Sequence, residues 1–272
     1  MSKVWFVTGA ARGFGRAWVQ AALARGDRVA ATARDIHALS GLTREFGDLV
    51  LPQRLDVTDR AGVFAAVAAA QQRFGRIDVV VNNAGYGLFG AVEEVDEAAA
   101  RAQLETNFFG ALWVTQAALP YLRRQRSGHL VQVSSLSGVV GFPLLGLYQA
   151  SKFALEGLTE SVAQEMAEFG VKVTLLEPGA FRTDWAGVSA AHAEPLPAYA
   201  GLRARLEGHE NTYHHGDPVA SAQYLLQLVD TPDPPLRLMF GRNAVELAVA
   251  ASTDRIRTWQ RWEQVAKAAA GD

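Results

Sequence analysis

The order of strand-like and helix-like segments constrains the fold of this chain more than any other feature of its sequence. Short runs rich in β-branched residues, such as Val79-Val80-Val81, alternate with longer amphipathic or alanine-rich runs. An uninterrupted apolar run predicts a strand that is buried on both faces. Strict alternation of strands with helices predicts a parallel sheet with helices on both sides. The sequence therefore predicts a Rossmann-type, doubly wound α/β fold of about seven strands. The predicted strands span residues 4–8, 28–33, 50–56, 77–82, 129–134, 171–177 and 236–240, and the predicted helices span 15–25, 60–74, 97–124, 148–169 and 218–229.

The length of 272 residues suits one large α/β domain with a well-buried core and is short for two. We therefore expect residues 1–272 to form a single domain. Residues 184–216 lack clear periodicity, and we interpret them as an insertion over the substrate site, since long loops in compact domains are often functional lids. Residues 243–272 are expected to form a C-terminal helical extension. Its apolar stripe is expected to pack on its own domain or on a partner subunit, with a membrane surface as the alternative. The stripe consists of Ile256, Trp259, Trp262 and Ala266.

Composition and charge exclude several classes of site and partner. The chain has no cysteine, which excludes disulfides, thiolate catalysis and cysteine-ligated zinc. A formal charge of −2 gives no reason to expect nucleic acid. No run approaches the ~18 apolar residues of a membrane span, and the run Val4–Val7 is too short for a signal peptide. We therefore expect a cytoplasmic protein with no nucleic-acid or membrane partner. No metal site is predicted, because Glu210 and Asp217, the acidic neighbours of His192, His209, His214 and His215, fit no known ligand spacing, and we interpret these histidines as solvated loop residues.

A glycine-rich loop joins the first predicted strand to the first predicted helix. Gly9, Gly13 and Gly15 allow a tight turn and a close approach of the backbone to a pyrophosphate, and the helix N-terminus adds free N–H groups. The spacing is Gly-x3-Gly-x-Gly rather than the commoner Gly-x-Gly-x-x-Gly. A strand–helix turn without a ligand is the alternative. The position directly after the first strand favours a dinucleotide site, to which Arg12 and Phe14 of the same loop would belong.

The end of the second predicted strand indicates which dinucleotide is bound. Dinucleotide folds that prefer NAD carry an acidic residue there, which binds the ribose 2′-hydroxyl. This chain has Ala33 followed by Arg34, and an arginine can pair with a 2′-phosphate, with Arg12 as a second clamp. Asp35 lies beyond the strand end and is interpreted as the cap of the next helix. NADP is therefore the predicted cofactor, with two ordinary surface arginines as the alternative.

The reactive groups are predicted around one helix start. Tyr148 and Lys152 are four residues apart, which places both side chains on one helical face. Ser135 follows a strand, and the apolar, glycine-containing loop between it and Tyr148 suits the wall of a substrate pocket. A lysine cation is expected to lower the tyrosine pKa from ~10, and a serine hydroxyl can bind the substrate oxygen as charge develops. These are the parts needed for hydride transfer to a carbonyl; a helix-surface pair is the alternative.

With these motifs, the sequence resembles the short-chain dehydrogenase/reductase family over about residues 3–183. Asp56-Val57 is similar to the pair that contacts the adenine ring. Residues 82–85, Asn-Asn-Ala-Gly, resemble the family segment beside the cofactor, and residues 178–183 resemble the segment that meets the nicotinamide carboxamide. The cofactor-binding residues predicted in total are Gly9, Arg12, Gly13, Phe14, Gly15, Arg34, Asp56, Val57, Asn83, Ala84, Gly85, Tyr148, Lys152, Pro178, Gly179, Phe181 and Thr183.

The resemblance also implies roles and an assembly. Tyr148 would be the general acid in reduction and the base in oxidation, Lys152 would lower its pKa and bind the nicotinamide ribose, Ser135 would hold the substrate oxygen, and Asn107 would hold a relay water. A homodimer or homotetramer would form through the long helices at 97–124 and 148–169.

Two alternatives to a reductase or dehydrogenase function remain. One is an isomerase or epimerase with the same Tyr-Lys chemistry, and the other is a catalytically silent NADP-binding regulator.

The residues expected near the nicotinamide are almost all apolar or aromatic. Because an unpaired buried charge is costly, they predict a hydrophobic ketone, aldehyde or secondary alcohol as substrate. They are Tyr86, Leu88, Phe89, Leu136, Phe142, Leu144, Leu145, Phe181 and Trp185, with Leu196 and Tyr199 in the predicted lid.

Overall fold

The computed structural model of the chain describes residues 2–185, 187, 189–210 and 215–271. Seven of its strands form one parallel sheet in the order β3-β2-β1-β4-β6-β7-β9, and β5 pairs with β8 in a separate ribbon. The predicted strands and the doubly wound fold are confirmed, with strand boundaries shifted by two residues at most. The strands are β1 (Val4–Val7), β2 (Arg28–Ala33), β3 (Val50–Arg54), β4 (Val79–Asn82), β5 (Leu88–Phe89), β6 (Gly128–Val133), β7 (Val171–Pro178), β8 (Ala191–His192) and β9 (Arg237–Phe240).

Helices cover both faces of the large sheet. On one face α1, α2 and α8 bury Trp18, Leu42 and Leu225 in a shared core. On the other face α3, α5 and α6 do the same with residues such as Val114 and Val162. None of the described helices is long and apolar enough to cross a membrane. The helices are α1 (Gly13–Ala24), α2 (Ser40–Phe46), α3 (Arg60–Phe74), α4 (Glu97–Leu104), α5 (Gly110–Gln125), α6 (Gly146–Ala167), α7 (Ala200–Glu210), α8 (Pro218–Asp230), α9 (Ala244–Arg261) and α10 (Glu263–Ala269).

The segment after β7 is more ordered than its sequence indicates. Residues 186, 188 and 211–214 of the predicted insertion, His214 among them, lie outside the described residues. The remainder contains β8 and α7, neither of which the sequence pattern indicated. In the ribbon, Leu88 of β5 lies opposite Ala191 of β8, and Phe89 lies opposite His192. A two-residue strand is too short to show a periodicity, which is why the pattern missed it.

The C-terminal extension is helical over α9 and α10. Ala244 and Ala248 bury the start of α9 against the domain. Farther along, Ile256, Trp259 and Trp262 are exposed, Trp259 to 68% and Trp262 to 59%. The exposed tryptophans therefore do not pack on their own domain, although Arg255 of the same helix donates to the Val139 carbonyl, and packing of the stripe on a partner subunit stays a prediction.

Candidate active site

The predicted site residues meet at the carboxyl-terminal edge of the large sheet. In this sheet β1 is the neighbour of both β2 and β4, so the chain changes winding direction there. Ligands of open α/β sheets bind in the crevice beside such a switch point. Gly9 follows β1, Asn83 follows β4, Ser135 follows β6 and Gly179 follows β7, so the fold brings the separate motifs to one edge.

The glycine loop has the shape that a phosphate-binding turn requires. Gly9 has φ +67° and Gly13 has φ +55°, both in the left-handed region that favours glycine. A Cβ on Gly15 would lie 2.6 Å from Asn83 Nδ2, so a side chain would not fit. Arg12 precedes α1 and provides no side-chain cap for its first N–H groups. These N–H groups and the helix dipole suit an anionic pyrophosphate.

Asn83 and Thr8 hold this loop in place. The Asn83 Nδ2 group donates hydrogen bonds to the carbonyls of Thr8 at 3.0 Å and Gly9 at 3.1 Å. The Thr8 hydroxyl accepts from the backbone N–H groups of Asn83 and Ala84, each at 3.0 Å. The sequence identified Asn83 as a residue beside the cofactor, and the structure places its amide against the loop. The sequence analysis did not identify the role of Thr8, for which the only signal was its position directly after β1.

Arg34 and Asp35 lie where β2 ends. Arg34 is exposed at the same edge as the glycine loop. Asp35 Oδ1 accepts a hydrogen bond from the His37 N–H at 2.9 Å, so it caps the short 3₁₀ helix Ile36–Leu39. The interpretation of Asp35 as a helix cap is confirmed, and its carboxylate is therefore engaged on the backbone. Arg12 is half-exposed, with Nε 4.0 Å from Asp184 Oδ2.

Asp56 and Val57 lie just beyond β3. Asp56 is exposed, and its Oδ1 accepts from the N–H and the hydroxyl of Thr58 at 3.0 and 2.8 Å. Val57 is buried beside the start of α5, where a Cβ on Gly110 would lie 2.6 Å from its Cγ2. The pair therefore forms a firm edge to the crevice at the β3 side.

The segment after β7 returns to the glycine loop. The Gly179 N–H donates to the Phe240 carbonyl at 2.7 Å, which fixes the turn. Two residues on, the Phe181 ring packs on the Phe14 ring with centroids 4.8 Å apart. A Cβ on Gly13 would be 3.5 Å from Thr183 Cβ. Residues 178–183 and the glycine loop thus form two sides of one crevice.

Tyr148, Lys152 and Ser135 come together at the centre of the site. Tyr148 and Lys152 are both buried on the inner face of α6. Lys152 Nζ lies 5.8 Å from the centre of the Tyr148 ring and donates a hydrogen bond to the Val133 carbonyl at 2.8 Å. Ser135 Oγ accepts from the Ser137 N–H at 3.0 Å and donates to the Pro178 carbonyl at 3.4 Å, and it is near enough to the Tyr148 hydroxyl to lower the pKa of that phenol.

The pKa of Tyr148 differs from the one expected from the sequence. Burial raises the pKa of Tyr148 to about 12 and outweighs the nearby Ser135 hydroxyl, which lowers it. Burial lowers the pKa of Lys152 to about 8, against the opposing effect of the Glu156 carboxylate. The expectation that Lys152 lowers the Tyr148 pKa below its usual value is therefore wrong for this structure, because the phenol is withdrawn from water and the ammonium bonds a carbonyl. Tyr148 is protonated at neutral pH, as a proton donor must be.

Asn107 lies in a π-helical turn, Glu105–Phe109, that separates α4 from α5, so the single helix predicted at 97–124 is interrupted. Its Oδ1 accepts from the Tyr86 N–H at 3.1 Å, and its Nδ2 donates to the Tyr86 carbonyl at 3.0 Å and to Ser151 Oγ at 3.2 Å. Through its bonds to Tyr86, the Asn107 side chain holds the segment that follows β4. Turns of this kind often occur at functional sites. No pattern in the sequence indicated Ser151 as the partner of Asn107.

Aromatic rings stand over Tyr148. The Trp185 ring centre is 4.8 Å from the Tyr148 ring and 5.2 Å from the Phe89 ring, and Phe89 stacks on His192 at 5.1 Å. Three members of this wall come from β5, β8 and the segment after β7. The resulting pocket wall is aromatic, in agreement with the character expected from the sequence.

Several of the other predicted pocket residues have different surroundings. Leu136 and Phe142 belong to a small apolar cluster beneath the start of α9, so they support the domain rather than the wall over Tyr148. The Leu144 carbonyl accepts from the Gly90 N–H at 2.9 Å. Tyr199 donates its hydroxyl to Glu93 at 2.7 Å, which ties the lid region to the segment after β5.

Comparisons with known proteins agree with this geometry. The short chain dehydrogenase family model matches residues 3–193. An oxidoreductase of Botryotinia fuckeliana is 44% identical over 274 residues, which cover 99% of this chain and 100% of that protein. The crystal structure of a short-chain dehydrogenase from Streptomyces avermitilis has 39% identity and a TM-score of 0.92 over 98% of both chains. An alcohol dehydrogenase from the archaeon Thermococcus sibiricus, complexed with 5-hydroxy-NADP, has 29% identity and a TM-score of 0.74, over 89% of this chain and 97% of that one. This chain therefore belongs to the short-chain dehydrogenase family of oxidoreductases.

Proposed function

We propose that this chain is an NADP(H)-dependent carbonyl reductase that transfers a hydride between the nicotinamide and a hydrophobic ketone, aldehyde or secondary alcohol. The observation that carries the proposal is the buried Tyr148 phenol, which lies near Ser135 and beside Lys152 under an aromatic wall. An acid and a hydrogen-bond donor at one point are what a carbonyl oxygen needs when a hydride reaches its carbon.

The crevice suits the proposed cofactor, which when bound supplies the hydride. The uncapped N-terminus of α1 and the left-handed glycines suit the pyrophosphate. Arg34 and Arg12 are the cations we assign to the 2′-phosphate, because both lie at this edge and are exposed. The complex of the Thermococcus sibiricus relative with an NADP derivative supports this choice. Asp56, Val57, Ala84, Gly85, Pro178, Gly179, Phe181 and Thr183 are assigned to the remaining walls of the cofactor crevice.

The proposed proton transfer uses this chain's own side chains. In reduction, Ser135 donates a hydrogen bond to the carbonyl oxygen, and Tyr148 gives its proton to that oxygen as negative charge develops. Lys152 in its charged form stabilises the resulting phenolate. Asn107 keeps the segment that follows β4 beside Lys152, since a Cβ on Gly85 would lie 3.1 Å from Asn107 Oδ1 and 3.8 Å from Lys152 Nζ. We retain the relay water at Asn107 as part of the proposal.

The substrate class follows from the wall over Tyr148. Trp185 and Phe89 present large apolar surfaces that an aryl or alicyclic skeleton can cover. Burial of apolar surface is worth about 25 cal/mol per Å², so such a skeleton gains several kcal/mol that a short sugar does not. We therefore propose a substrate with an apolar skeleton on at least one side of its carbonyl.

The test is turnover by Tyr148→Phe, with Tyr199→Phe as the matched control outside the proton path. NADPH absorbance is followed with aryl ketones, alicyclic ketones, aldehydes, sugars and short keto acids. Tyr148→Phe is expected to lose about 10²–10⁴-fold in kcat, with NADPH affinity by fluorescence unchanged, while Tyr199→Phe keeps kcat within a few-fold. More than a tenth of wild-type kcat in Tyr148→Phe would refute the proton-donor role. A tenfold preference for sugars would refute the substrate class, and isomerised product without NADPH consumption would favour the isomerase alternative.

A further inference from the structure

A buried group of charges lies behind the site and has no part in the proton transfer described above. Glu156 lies on α6 one turn after Lys152, Glu177 lies in β7, and Arg237 lies in the edge strand β9. Arg237 Nη2 donates to Glu156 Oε2 at 2.9 Å and to Glu160 Oε1 at 2.8 Å, and its Nε is 3.3 Å from Glu177 Oε1. The Glu177 side chain is fully buried and that of Glu156 is 7% exposed, whereas Glu160 is 53% exposed.

Around the two buried carboxylates there are more hydrogen-bond acceptor oxygens than donors. Ser134 Oγ, Glu156 Oε1 and both carboxyl oxygens of Glu177 are buried without a formed hydrogen bond. A Cβ on Gly138 would lie 2.6 Å from Ser134 Oγ and 3.0 Å from Glu156 Oε1, so these two oxygens converge. Adjacent carboxylates in a dry site cannot both ionise without a large repulsion. One proton held between Glu156 and Glu177 relieves it.

The surroundings decide which of the two acids carries the proton. Burial raises the pKa of Glu156, but the Arg237 N–H that it receives and the nearby Ser134 hydroxyl oppose this and favour its charged form. Glu177 is deeper, and burial together with the Glu156 charge raises the pKa of Glu177 to about 8. At neutral pH, Glu177 is therefore the neutral donor and Glu156 the anion.

We propose that Glu156 is the counter-ion that keeps Lys152 charged, and that the proton on Glu177 holds the Glu156 carboxylate in that role. Lys152 is buried, and its one hydrogen-bond partner among the described residues is the neutral Val133 carbonyl. A buried cation needs an opposite charge, and the four-residue spacing on α6 places Glu156 on its side of the helix. The assignment makes Glu156 a positioning residue for the proposed reductase and rests on that function only for its catalytic consequence.

The expected pH dependence of the Lys152 charge depends on the charged groups around Glu156. On β9 Arg237 contacts Glu156 directly, on β7 Glu177 is its neighbouring acid, and on its own helix Lys152 and Glu160 lie one turn away on either side, with no direct ion pair between Lys152 and Glu156. Glu160 is half-exposed and lies toward solvent. Changes in the charge of Lys152 near pH 8 therefore follow the charges of Glu156 and Glu177.

The direct test is the pKa of Lys152, measured by NMR on protein with isotope-labelled lysine side chains. The chain has only four lysines, so the Lys152 signal can be assigned with Lys152→Arg. Glu156→Gln is expected to lower the Lys152 pKa by about one unit or more. Glu177→Gln, which removes a charge that forms only near pH 8, is expected to lower it by less. Glu160→Gln is the matched control, on the same helix and the same arginine, and is expected to leave it unchanged.

Activity gives a second readout. In Glu156→Gln the alkaline limb of kcat/KM is expected to move to lower pH by the same amount as the Lys152 pKa, and Glu156→Asp is expected to restore it. Equal shifts in Glu156→Gln and Glu160→Gln, or no shift in either, would overturn the proposal. If Glu156→Gln does not fold, the test is the Lys152 pKa in the other two variants. The proposal then requires that Glu177→Gln lower this pKa more than Glu160→Gln does. The NMR shift needs no turnover, so a shift without reductase activity would count against the proposed function alone.

Discussion

The protonation of Tyr148 follows from where its ring lies. The phenol is buried among Ser135, Lys152 and Trp185, and burial raises its pKa to about 12. The phenol is therefore protonated, and able to donate its proton, throughout the physiological pH range. Oxidation of an alcohol needs the phenolate instead, which has to be stabilised against that burial.

The pH dependence of catalysis should report Lys152. Burial lowers the pKa of Lys152 to about 8, so its stabilising charge is present below that pH and is lost as pH rises through it. We expect kcat/KM for NADPH, which reports groups of the free enzyme, to be level up to about pH 7 and to fall about tenfold per unit well above pH 8. A rate that keeps rising to pH 10 would contradict this assignment.

Cofactor preference should depend on Arg34. A charge-assisted contact to a phosphate is worth about 1.5–3 kcal/mol, or roughly ten- to a hundredfold in affinity. NADPH is expected to bind more tightly than NADH, and Arg34→Ala should remove most of that difference while NADH affinity stays the same. Arg44→Ala, a change in the exposed surface of α2, is the control. Preference of the wild type for NADH in fluorescence titration would show that Arg34 has been misassigned.

At the scale of secondary-structure elements, Glu94 ties the lid region to the rest of the site. It ends the 3₁₀ turn Val92–Glu94 after β5 and accepts from the Ala91 and Leu196 N–H groups, each at 2.7 Å. It also pairs with Arg203 of α7. These contacts lower the pKa of Glu94 to about 2, so the anchor is fully formed above about pH 4.5 and is lost only as pH falls toward 2.

Removal of this anchor should loosen the lid region without changing the chemistry. Glu94→Gln keeps the size but loses the charge and one acceptor, so amide hydrogen exchange at Leu196 is expected to become several-fold faster and the substrate KM to rise. The kcat is expected to change little. Glu93→Gln, which loses only the contact to Tyr199, is the control and should have the smaller effect. Unchanged exchange at Leu196 in both variants would show that the ribbon of β5 and β8 holds the lid by itself.

How much the sequence revealed differs from element to element. The seven strands were predictable because buried parallel strands form continuous apolar runs, as Val79–Val81 does, and the site residues follow their ends. The ribbon of β5 and β8 was not, because its pairing joins residues about a hundred positions apart with no local pattern. The π turn at Asn107 depends on bonds to Tyr86 and Ser151 that only the fold brings near. The raised pKa of Tyr148 is likewise a consequence of burial that spacing alone does not reveal.

At the scale of the whole molecule, we propose a homodimer formed about a two-fold axis through α5 and α6. Phe153 of α6 is exposed despite its size, which is consistent with a covered surface in an assembly. Light scattering at micromolar concentration is expected to give about twice the chain mass of 29.3 kDa or a higher multiple. Phe153→Glu should reduce it, whereas Trp259→Ser in the exposed part of α9 should not. A reduction by Trp259→Ser alone would place the interface at the C-terminal helices.

The pH dependence of stability should depend on two buried groups with opposite signs. Burial lowers the pKa of His129 to about 4, so its contribution is present above about pH 6.5 and is lost as pH falls through 4. The pKa of Glu177 is raised to about 8, so the folded state holds that proton more tightly than the unfolded chain does, and stability falls as pH rises from about 4.5 through 8. Between pH 6.5 and 8, His129 no longer contributes to the pH dependence, and the decline in stability reports Glu177, opposed near pH 8 by Lys152, whose pKa is lowered to about 8. Glu177→Gln is expected to remove that decline, so its melting temperature relative to wild type should rise by several degrees across this range. Glu160→Gln, with its exposed carboxylate, should run parallel to wild type. Parallel curves for wild type and Glu177→Gln would mean that Glu177 is already ionised at pH 6.5, and that the proton between the two acids lies on Glu156.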